Sequence, residues 1–383
     1  MGRSIVVENR PSWSSWVTPQ LLRGKPIHRW YVFPHSFTSE LVHGLIDEWV
    51  LGAGDRILDP FVGAGTTLLA SKEKGVPATG YDLSPLAVLA SRVKVASFRV
   101  ERLQNAWAEM QSALTPRRWR KAKRRYPQLV VAALPDPLLA AFETIRSRID
   151  DLQLSRSEKD FFRLALLAIL PRFSRAVASG GWLKWVKKRS TINSIPQRLC
   201  TQVKLMMNDL LNSTLSCEES WDADTGDARC IPEPDSSYSA VITSPPYANR
   251  HDYTRVFGVE LMFDFLNWEE TRELRYQSFH SHPEARPERP PRGEYTAPRK
   301  LSAAIGRLKR EGEEPKVLSL LGGYFLDSYH VLCEAKRVCK VGGFVGFVVG
   351  NVQYRGVPFA VDELIAEIGE QTGMSCGGLL AVR

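Results

Sequence analysis

The chain has 383 residues, and its 51 lysines and arginines against 42 aspartates and glutamates give a formal charge of +9. With 44% hydrophobic and 24% charged residues it has the composition of a folded globular protein, which excludes disorder throughout the chain. No stretch approaches the roughly 18 uninterrupted apolar residues of a membrane span, and the first residues lack the apolar core of a signal peptide. We therefore expect a cytoplasmic protein without a membrane partner.

The six cysteines include no Cys-x-x-Cys pair, and together with the seven histidines they form no recognisable zinc-binding pattern. We expect reduced cysteines and no metal.

Two basic runs that also contain tryptophan account for much of the positive charge. Such runs are typical of nucleic-acid-binding surfaces, although a solvated helix face can have the same composition. The candidate DNA-binding side chains in these runs are Arg117, Arg118, Arg120, Lys121, Lys123, Arg124, Arg125, Lys184, Lys187, Lys188 and Arg189.

The first part of the chain predicts an arm followed by alternating helices and strands. Residues 1–27 show no clear period, and residues 38–51 carry apolar side chains at helical spacing behind Thr38. A short apolar run over 56–59 precedes a glycine-rich turn, a helix over 66–74, a strand over 78–82 and a helix over 85–95. Strand, turn, helix and strand in this order form a βαβ unit, which predicts a parallel sheet with right-handed crossovers.

The later part of the chain interrupts this alternation twice. Residues 96–220 predict a helical insertion that carries both basic runs and is the candidate DNA-recognition region. Strands are predicted over 239–243, 343–349 and 377–382, and helices over 323–338 and 359–371. Residues 275–316 are rich in Pro, Arg and Glu and are too polar to make a core of their own, which predicts a mobile insertion.

The first candidate site is the turn after Asp59, with the sequence Asp-Pro-Phe-Val-Gly-Ala-Gly-Thr-Thr. Gly63 and Gly65 allow close approach of the backbone to a ligand, and the amides of the following helix favour an anionic group such as a carboxylate. Asp82, at the end of the next strand, is placed to accept hydrogen bonds from ribose hydroxyls. A dinucleotide fits less well because Leu68 replaces the third glycine, and no Gly-Lys-Ser/Thr follows to make a phosphate-binding loop.

The second candidate site is Ser244-Pro245-Pro246-Tyr247, which directly follows a predicted strand. Two successive prolines fix the backbone and remove two N–H donors, so this turn presents hydrogen-bond acceptors. The Ser244 hydroxyl and the Pro245 carbonyl can together accept both hydrogens of an exocyclic amino group, and the Tyr247 ring offers a face for stacking a planar base.

With these two motifs the chain resembles the amino-group DNA methyltransferases that depend on S-adenosylmethionine. Their cofactor motif is usually Asp-Pro-Phe-x-Gly-x-Gly-Thr-Thr, and the Ser-Pro-Pro-Tyr form of their catalytic motif is typical of cytosine-N4 enzymes. Softer similarities cover residues 28–35, 81–85, 226–228 and 340–343. The cofactor half precedes the catalytic half, whereas many cytosine-N4 enzymes have the two halves permuted, so adenine N6 stays open as the target.

The resemblance implies a Rossmann-like methyltransferase fold, α/β in class, with a mostly parallel seven-stranded sheet, helices on both faces and a helical insertion. It implies an arm over 1–27, a cofactor half over 28–95 and a catalytic half over 221–383 that includes the 275–316 insertion. The catalytic residues would be Ser244, Pro245, Pro246 and Tyr247. The residues expected to bind S-adenosylmethionine are Phe33, Pro34, His35, Asp59, Pro60, Phe61, Gly63, Gly65, Thr66, Thr67, Asp82, Leu83 and Asp227.

The expected partner is double-stranded DNA, whose target base would be flipped into the site, and a cognate restriction nuclease is a second conceivable partner. The motifs are also compatible with a methyltransferase acting on RNA or on a protein amide, and with a catalytically silent nucleic-acid-binding protein. Near the motifs, His43, His251, Asp252 and Tyr253 are assigned structural roles, and Asn249 is kept as a candidate pocket residue.

Overall fold

The computed structural model describes residues 6–114, 119, 124–187, 191–215, 220–289 and 293–382. The central sheet consists of β2 (Ile57–Asp59), β3 (Ala78–Asp82), β6 (Trp221–Thr225), β7 (Tyr238–Thr243) and β8 (Cys339–Phe347). Its strand order is β6-β3-β2-β7-β8, and all four pairings are parallel. The predicted parallel α/β sheet is confirmed, but within the described residues it has five strands instead of the seven that the resemblance implies.

The other strands of the described residues form three separate pairs. They are β1 (Val7–Asn9) with β11 (Leu379–Ala381), β4 (Ala176–Ser179) with β5 (Trp182–Trp185), and β9 (Val352–Tyr354) with β10 (Val357–Phe359). The predicted strand over 377–382 therefore exists, but it pairs with the arm at the start of the chain and not with the central sheet.

Helices surround the sheet and fill the insertions. Those before residue 100 are α1 (Ser39–Glu48), α2 (Thr66–Glu73) and α3 (Pro85–Val95). Those of the insertion are α4 (Val100–Ala113), α5 (Gln128–Ala133), α6 (Leu138–Asp151), α7 (Arg156–Phe173) and α8 (Ile195–Leu211). The rest are α9 (Tyr253–Val256), α10 (Gly258–Glu260), a π-helical turn (Leu261–Phe265), α11 (Trp268–Gln277), α12 (Arg299–Arg310), α13 (Pro315–Val338) and α14 (Val361–Gln371). No helix of this described set is long and apolar enough to cross a membrane.

Alternating side chains of the central strands pack against helices on the two faces of the sheet. Ile57 and Ile242 are buried in the largest apolar cluster, which also holds side chains of α1, α2, α3 and the insertion helices. Leu58 and Val241 point to the other face and are buried with side chains of α13, including Val338. Successive residues of a strand point to opposite faces, so these continuous apolar strands are buried on both sides, as in other parallel sheets.

The 96–220 and 275–316 segments both pack against this framework. Asp209 of α8 accepts hydrogen bonds from the Ile27 amide and the Trp30 indole, each 3.0 Å long, and so ties the 96–220 region to the segment before Phe33. This region also contains the β4–β5 hairpin, where the sequence predicted helices alone. Within 275–316, α12 buries Leu301 and Leu308 in a cluster with α13, so this polar segment contributes to a core that another element supplies.

Candidate active site

The turn after β2 and the turn after β7 line one cavity. Parallel strands end at the same edge of a sheet, and in open α/β sheets ligand crevices lie outside these carboxyl ends. The space between the two turns is a cleft that opens to solvent. The predicted site residues that line it are Phe33, His35, Asp59, Pro60, Phe61, Gly63, Thr66, Asp82, Leu83, Asp227, Ser244 and Pro246.

Asp59 joins the two turns. Its Oδ1 accepts a 2.6 Å hydrogen bond from the Thr243 hydroxyl and a 3.1 Å bond from the Phe61 amide, and its Oδ2 accepts a 2.6 Å bond from the Thr67 hydroxyl. Burial raises the pKa of the Asp59 carboxyl to about 6, although these donors favour the charged form. Thr243 immediately precedes Ser244, so this one carboxyl group links the Ser244 turn to the glycine loop.

Gly63 and Gly65 of the loop are each suited to glycine for a different structural reason. Both have positive φ, +50° at Gly63 and +80° at Gly65, which favours glycine. A Cβ atom at Gly65 would lie 2.8 Å from the Ser91 Cα, so this glycine allows the loop to pack on α3. A Cβ atom at Gly63 would have only ordinary contacts, the nearest at 3.7 Å from the Phe33 ring, and this glycine borders the cavity.

Asp82 presents its carboxylate to the cavity and also braces the loop. One oxygen accepts a 3.1 Å bond from the Gly63 amide and the other a 2.9 Å bond from the Ser84 amide. A carboxylate has about four acceptor positions, so acceptor capacity remains for a ligand hydroxyl. Burial raises the pKa of Asp82 to about 6.

A buried lysine links the glycine loop to the Phe33 segment. Lys94 Nζ donates 2.6 Å hydrogen bonds to the carbonyls of Tyr31 and Ala64, and burial lowers the pKa of Lys94 to about 7. An amine donates hydrogen bonds in either protonation state, so these links persist on both sides of that pKa. Sequence reasoning missed this residue because nothing in the α3 pattern distinguishes Lys94 from a solvated lysine.

The Ser244 hydroxyl contacts a carbonyl at the end of β8 and the neighbouring tyrosine. Its Oγ lies 3.1 Å from the Val348 carbonyl and 3.3 Å from the Tyr247 hydroxyl. A hydroxyl has one hydrogen and two lone pairs, so when Ser244 donates to the Val348 carbonyl its oxygen can still accept a hydrogen bond. The Val348 amide in turn donates a 2.9 Å bond to the Thr243 carbonyl, which holds the end of β8 against the turn.

Aromatic rings form the walls of the cavity and of the adjoining turn. The centroids of the Phe33 and Phe257 rings lie 4.4 Å apart with the rings tilted by 30°, and the Phe61 and Phe279 rings meet edge to face at 5.5 Å. All four of these phenylalanines line the cavity. Such apolar walls suit a flat ring that is held by a few polar groups at its edge.

The rings of His35, Tyr247, His251 and Tyr253 form a cluster at the Ser244 turn. The ring of His35 lies 4.4 Å from His251 and 5.9 Å from Tyr247, and His251 lies 4.6 Å from Tyr253. Burial lowers the pKa of His251 to about 4, and among the described residues its Nε2 has no hydrogen-bond partner. Tyr253, for which the sequence predicted a structural role, lines the cavity.

A buried ionic network holds the part of the cavity wall that contains Asp227 and Arg229. Arg229 donates to the Asp227 carboxylate at 2.6 and 2.9 Å, to the Gln277 carbonyl at 2.6 Å and to Asp327 at 3.3 Å. Arg289 donates to the other oxygen of Asp327 at 2.6 Å. Gln277 and Arg289 belong to the predicted mobile insertion, so the first part of this segment is fastened to the site.

The remaining predicted residues do not line the cavity. Pro34 is exposed, Gly65 packs on α3, Thr67 and Pro245 are buried, and Tyr247 is half-buried beside Ser244. His43 pairs with Glu73 at 2.9 Å, in keeping with its predicted structural role, and Asp252 caps α9 through the Arg255 amide. Asn249 is exposed in a neighbouring groove.

The basic candidates divide into two groups. Arg124, Arg125, Lys184 and Lys187 are described and exposed, while Arg117, Arg118, Arg120, Lys121, Lys123, Lys188 and Arg189 lie outside the described residues. In the part of the chain that the structure covers, no group of three or more His, Cys, Asp or Glu side chains could hold a metal ion.

Several cavity residues come from a part of the chain where the sequence predicted no functional motif. They are Phe257, Leu261, Leu274, Ser278 and Phe279, contributed by the region from the end of α9 to the residues just after α11. Long-range packing brings them to the site, and no short motif marks them in the sequence.

Comparison with known proteins shows similarity to methyltransferases. The Type II methyltransferase M.BsoBI of Geobacillus stearothermophilus is 27% identical, over 93% of this chain and 80% of that protein. The Type II methyltransferase M.AvaI of Nostoc sp. is 28% identical, over 96% of this chain and 83% of that protein. M.MjaII of Methanocaldococcus jannaschii is 32% identical, over 23% of this chain and 16% of that protein. No protein-family model and no solved structure matches the chain. The chain is thus similar over nearly its whole length to Type II methyltransferases.

Proposed function

We propose that this protein is a site-specific DNA methyltransferase that transfers a methyl group from S-adenosylmethionine to N4 of cytosine. The observation that carries the proposal is the common cavity between the glycine loop after Asp59 and the turn after β7, to which Ser244 and Pro246 contribute. The names of its relatives, Type II methyltransferases, support the same reaction.

The cavity residues suit the cofactor. Asp82 would accept the ribose hydroxyls, the Gly63 loop would lie against the methionine end together with His35, and the phenylalanine walls would hold the adenine. The Asp82 carboxylate borders this space and favours a ligand that carries a positive sulfonium, whereas the charge of Asp227 is paired with Arg229. When bound, S-adenosylmethionine supplies an electrophilic methyl group.

The serine and proline of the turn would activate the target nitrogen. An exocyclic amino group is a poor nucleophile because its lone pair is delocalised into the ring. If its two N–H groups donate to Ser244 Oγ and the Pro245 carbonyl, the nitrogen is drawn toward a pyramidal geometry and its lone pair becomes available. The bond from Ser244 to Val348 supports this role because it keeps the serine oxygen in the accepting orientation. Positioning and fixed dipoles then provide most of the rate, and no covalent enzyme intermediate is needed.

The substrate would be double-stranded DNA with the target base flipped out of the helix. The exocyclic nitrogen is inaccessible inside a duplex, so the base would be extruded to the Ser244 turn, where the neighbouring Tyr247 offers a ring for stacking, at a cost of a few kcal/mol. Exposed cations such as Arg124, Arg125, Lys184 and Lys187 would contact phosphates and offset that cost, which makes binding strongly salt-dependent.

Methyl transfer to different acceptors tests the proposal. Enzyme and tritium-labelled S-adenosylmethionine are incubated with unmethylated duplex DNA, structured RNA or protein, with Ser244→Ala as the matched control. We expect label in DNA alone, and only with the wild-type enzyme. Label in RNA or protein favours those rival acceptors, and no label in any of them indicates a catalytically silent nucleic-acid-binding protein.

A further inference from the structure

The β4–β5 hairpin presents two tryptophans and two lysines beside the catalytic turn. The side chains of Trp182 and Trp185 are 58% and 53% exposed, and Lys184 and Lys187 are exposed as well. Residues 176–187 contain no carboxylate. Exposed tryptophans interleaved with cations and without an acid suit a polyanion with aromatic bases better than they suit a protein surface.

The turn of the hairpin packs on the segment that continues the catalytic motif. A Cβ atom at Gly181 would lie 3.1 Å from both the Arg250 carbonyl and the His251 Cα, so the turn is in close contact with this segment. Only a few residues separate Arg250 from Tyr247 along the chain. The hairpin therefore stands at the rim of the site into which the target base would be extruded.

Helix α9 connects the hairpin with the cavity and holds Trp182 in place. The Arg255 guanidinium lies 4.5 Å from the Trp182 ring centroid, and Asp252 accepts a 3.0 Å bond from Arg255. Tyr253 of the same helix lines the cavity. At the base of the hairpin, the Val186 amide donates a 2.8 Å bond to the Arg175 carbonyl. An exposed ring that is already held in position loses little entropy when it binds.

We propose that the β4–β5 hairpin docks in a DNA groove beside the extruded base, with Trp182 against an unstacked neighbouring base and Lys184 and Lys187 on phosphates. A two-stranded β-ribbon fits the major groove of B-form DNA, and base stacking on an aromatic side chain contributes to binding without reading sequence. The proposal rests on the DNA methyltransferase function above and adds the surface that receives the duplex.

Variants of exposed residues test the hairpin without disturbing the core. Trp182→Ala removes the ring, Trp182→Phe keeps an aromatic face, and Trp268→Ala is the matched control. Trp268 is 47% exposed but is followed by Glu269 and Glu270, which repel phosphates. The readouts are fluorescence anisotropy with a 30-base-pair random duplex, methyl transfer to amplified bacterial genomic DNA, and calorimetric binding of S-adenosylmethionine.

For Trp182→Ala we expect about tenfold weaker duplex binding and a similarly raised KM for DNA, because a stacked base is lost. Cofactor binding should stay unchanged, Trp182→Phe should recover most of the loss, and Trp268→Ala should match the wild type. A plot of log K for DNA binding against log salt has a negative slope, to which each phosphate contact contributes about −0.9. Lys184→Gln combined with Lys187→Gln should therefore make this slope less negative by about 1.8.

Equal duplex binding by Trp182→Ala and Trp268→Ala would overturn the hairpin proposal. If the wild-type protein still transfers methyl groups to DNA in that case, the proposed function stands. Conversely, a wild-type protein that binds duplex through Trp182 but transfers no methyl group refutes the proposed function alone.

Discussion

The hydroxyl of Thr243 donates a 2.6 Å hydrogen bond to the carboxylate of Asp59, across two neighbouring strands of the central sheet. One strand leads into the glycine loop and the other into the Ser244 turn, so this bond sets the distance between the two halves of the proposed site. Asp59 is buried, and its other oxygen accepts a hydrogen bond from the Thr67 hydroxyl. Since each oxygen has its own threonine donor, substitution of one threonine at a time tests the two oxygens separately.

Thr243→Val and Thr67→Val each remove one hydroxyl from Asp59 at nearly constant shape. We expect each to lower the free energy of unfolding by about 1–3 kcal/mol, because a buried carboxylate loses a donor. Thr243→Val should mainly lower kcat, whereas Thr67→Val should mainly weaken cofactor binding. Urea unfolding measures stability and calorimetric titration measures cofactor binding, with a substitution at an exposed threonine, Thr201→Val, as control. If both variants are as stable as this control, the hydrogen bonds to Asp59 do not stabilise the fold.

Alanine at the two loop glycines should have different consequences. Gly65→Ala places a methyl group 2.8 Å from the Ser91 Cα at a φ of +80°, so it should lower the free energy of unfolding by about 2 kcal/mol or more. Gly63→Ala has room within the protein and should cost less stability, but its methyl group borders the cavity and should raise the Kd for S-adenosylmethionine. Thermal unfolding and calorimetry separate the two, and an identical profile for both variants would contradict this assignment.

Cofactor binding should depend on pH through Asp82. Its pKa of about 6 means that lowering the pH from 7 to 5 protonates the carboxylate that is proposed to accept the ribose hydroxyls. We therefore expect the Kd for S-adenosylmethionine to rise over this interval, while in Asp82→Asn it should already be high and nearly independent of pH.

Whereas cofactor binding should weaken from pH 7 to pH 5, the contribution of Asp82 to folding stability should increase over the same interval. A carboxyl pKa above its unfolded value of about 3.9 means that the folded state binds the proton more tightly. The contribution of Asp82 to the free energy of unfolding should therefore increase as the pH falls through 6. Urea unfolding of the wild type and of Asp82→Asn at pH 7 and pH 5 measures this difference, and parallel pH profiles would argue against the raised pKa.

The role of Ser244 predicts loss of turnover without loss of cofactor binding. Ser244→Ala removes an acceptor for the target amino group, and by analogy with single groups that stabilise a transition state we expect kcat to fall by about 100-fold or more. Val348 loses only one hydrogen bond, so the fold should persist. Single-turnover methyl transfer and calorimetry check both parts; wild-type turnover in this variant would show that the serine has no catalytic role.

The elements of the sheet could be predicted from sequence because local patterns determine them. The apolar runs that end at Asp59 and Asp82, and the helix that begins at Thr66, lie within a residue or two of their predicted bounds. The β4–β5 hairpin was missed because Trp182 and Trp185 lie in a short basic run that has no clear alternation of apolar and polar residues.

The proposed site was predictable only where motifs are contiguous. Ser244 and Gly63 lie in such motifs, but Phe257 and Phe279 reach the cavity through the packing of distant segments. Lys94 and Arg229 act through buried polar networks whose partners are far away in sequence, and no periodicity reveals such partners.

The most direct measurement of the central claim is mass spectrometry of nucleosides from DNA that has been incubated with the protein and S-adenosylmethionine carrying a trideuterated methyl group. If the Ser244 turn and the glycine loop act on one flipped cytosine, the digest will contain trideuterated N4-methylcytosine, and DNA treated with Ser244→Ala will contain almost none. Labelled N6-methyladenine would contradict the assignment of the base, and unlabelled DNA would contradict methyl transfer in this cavity.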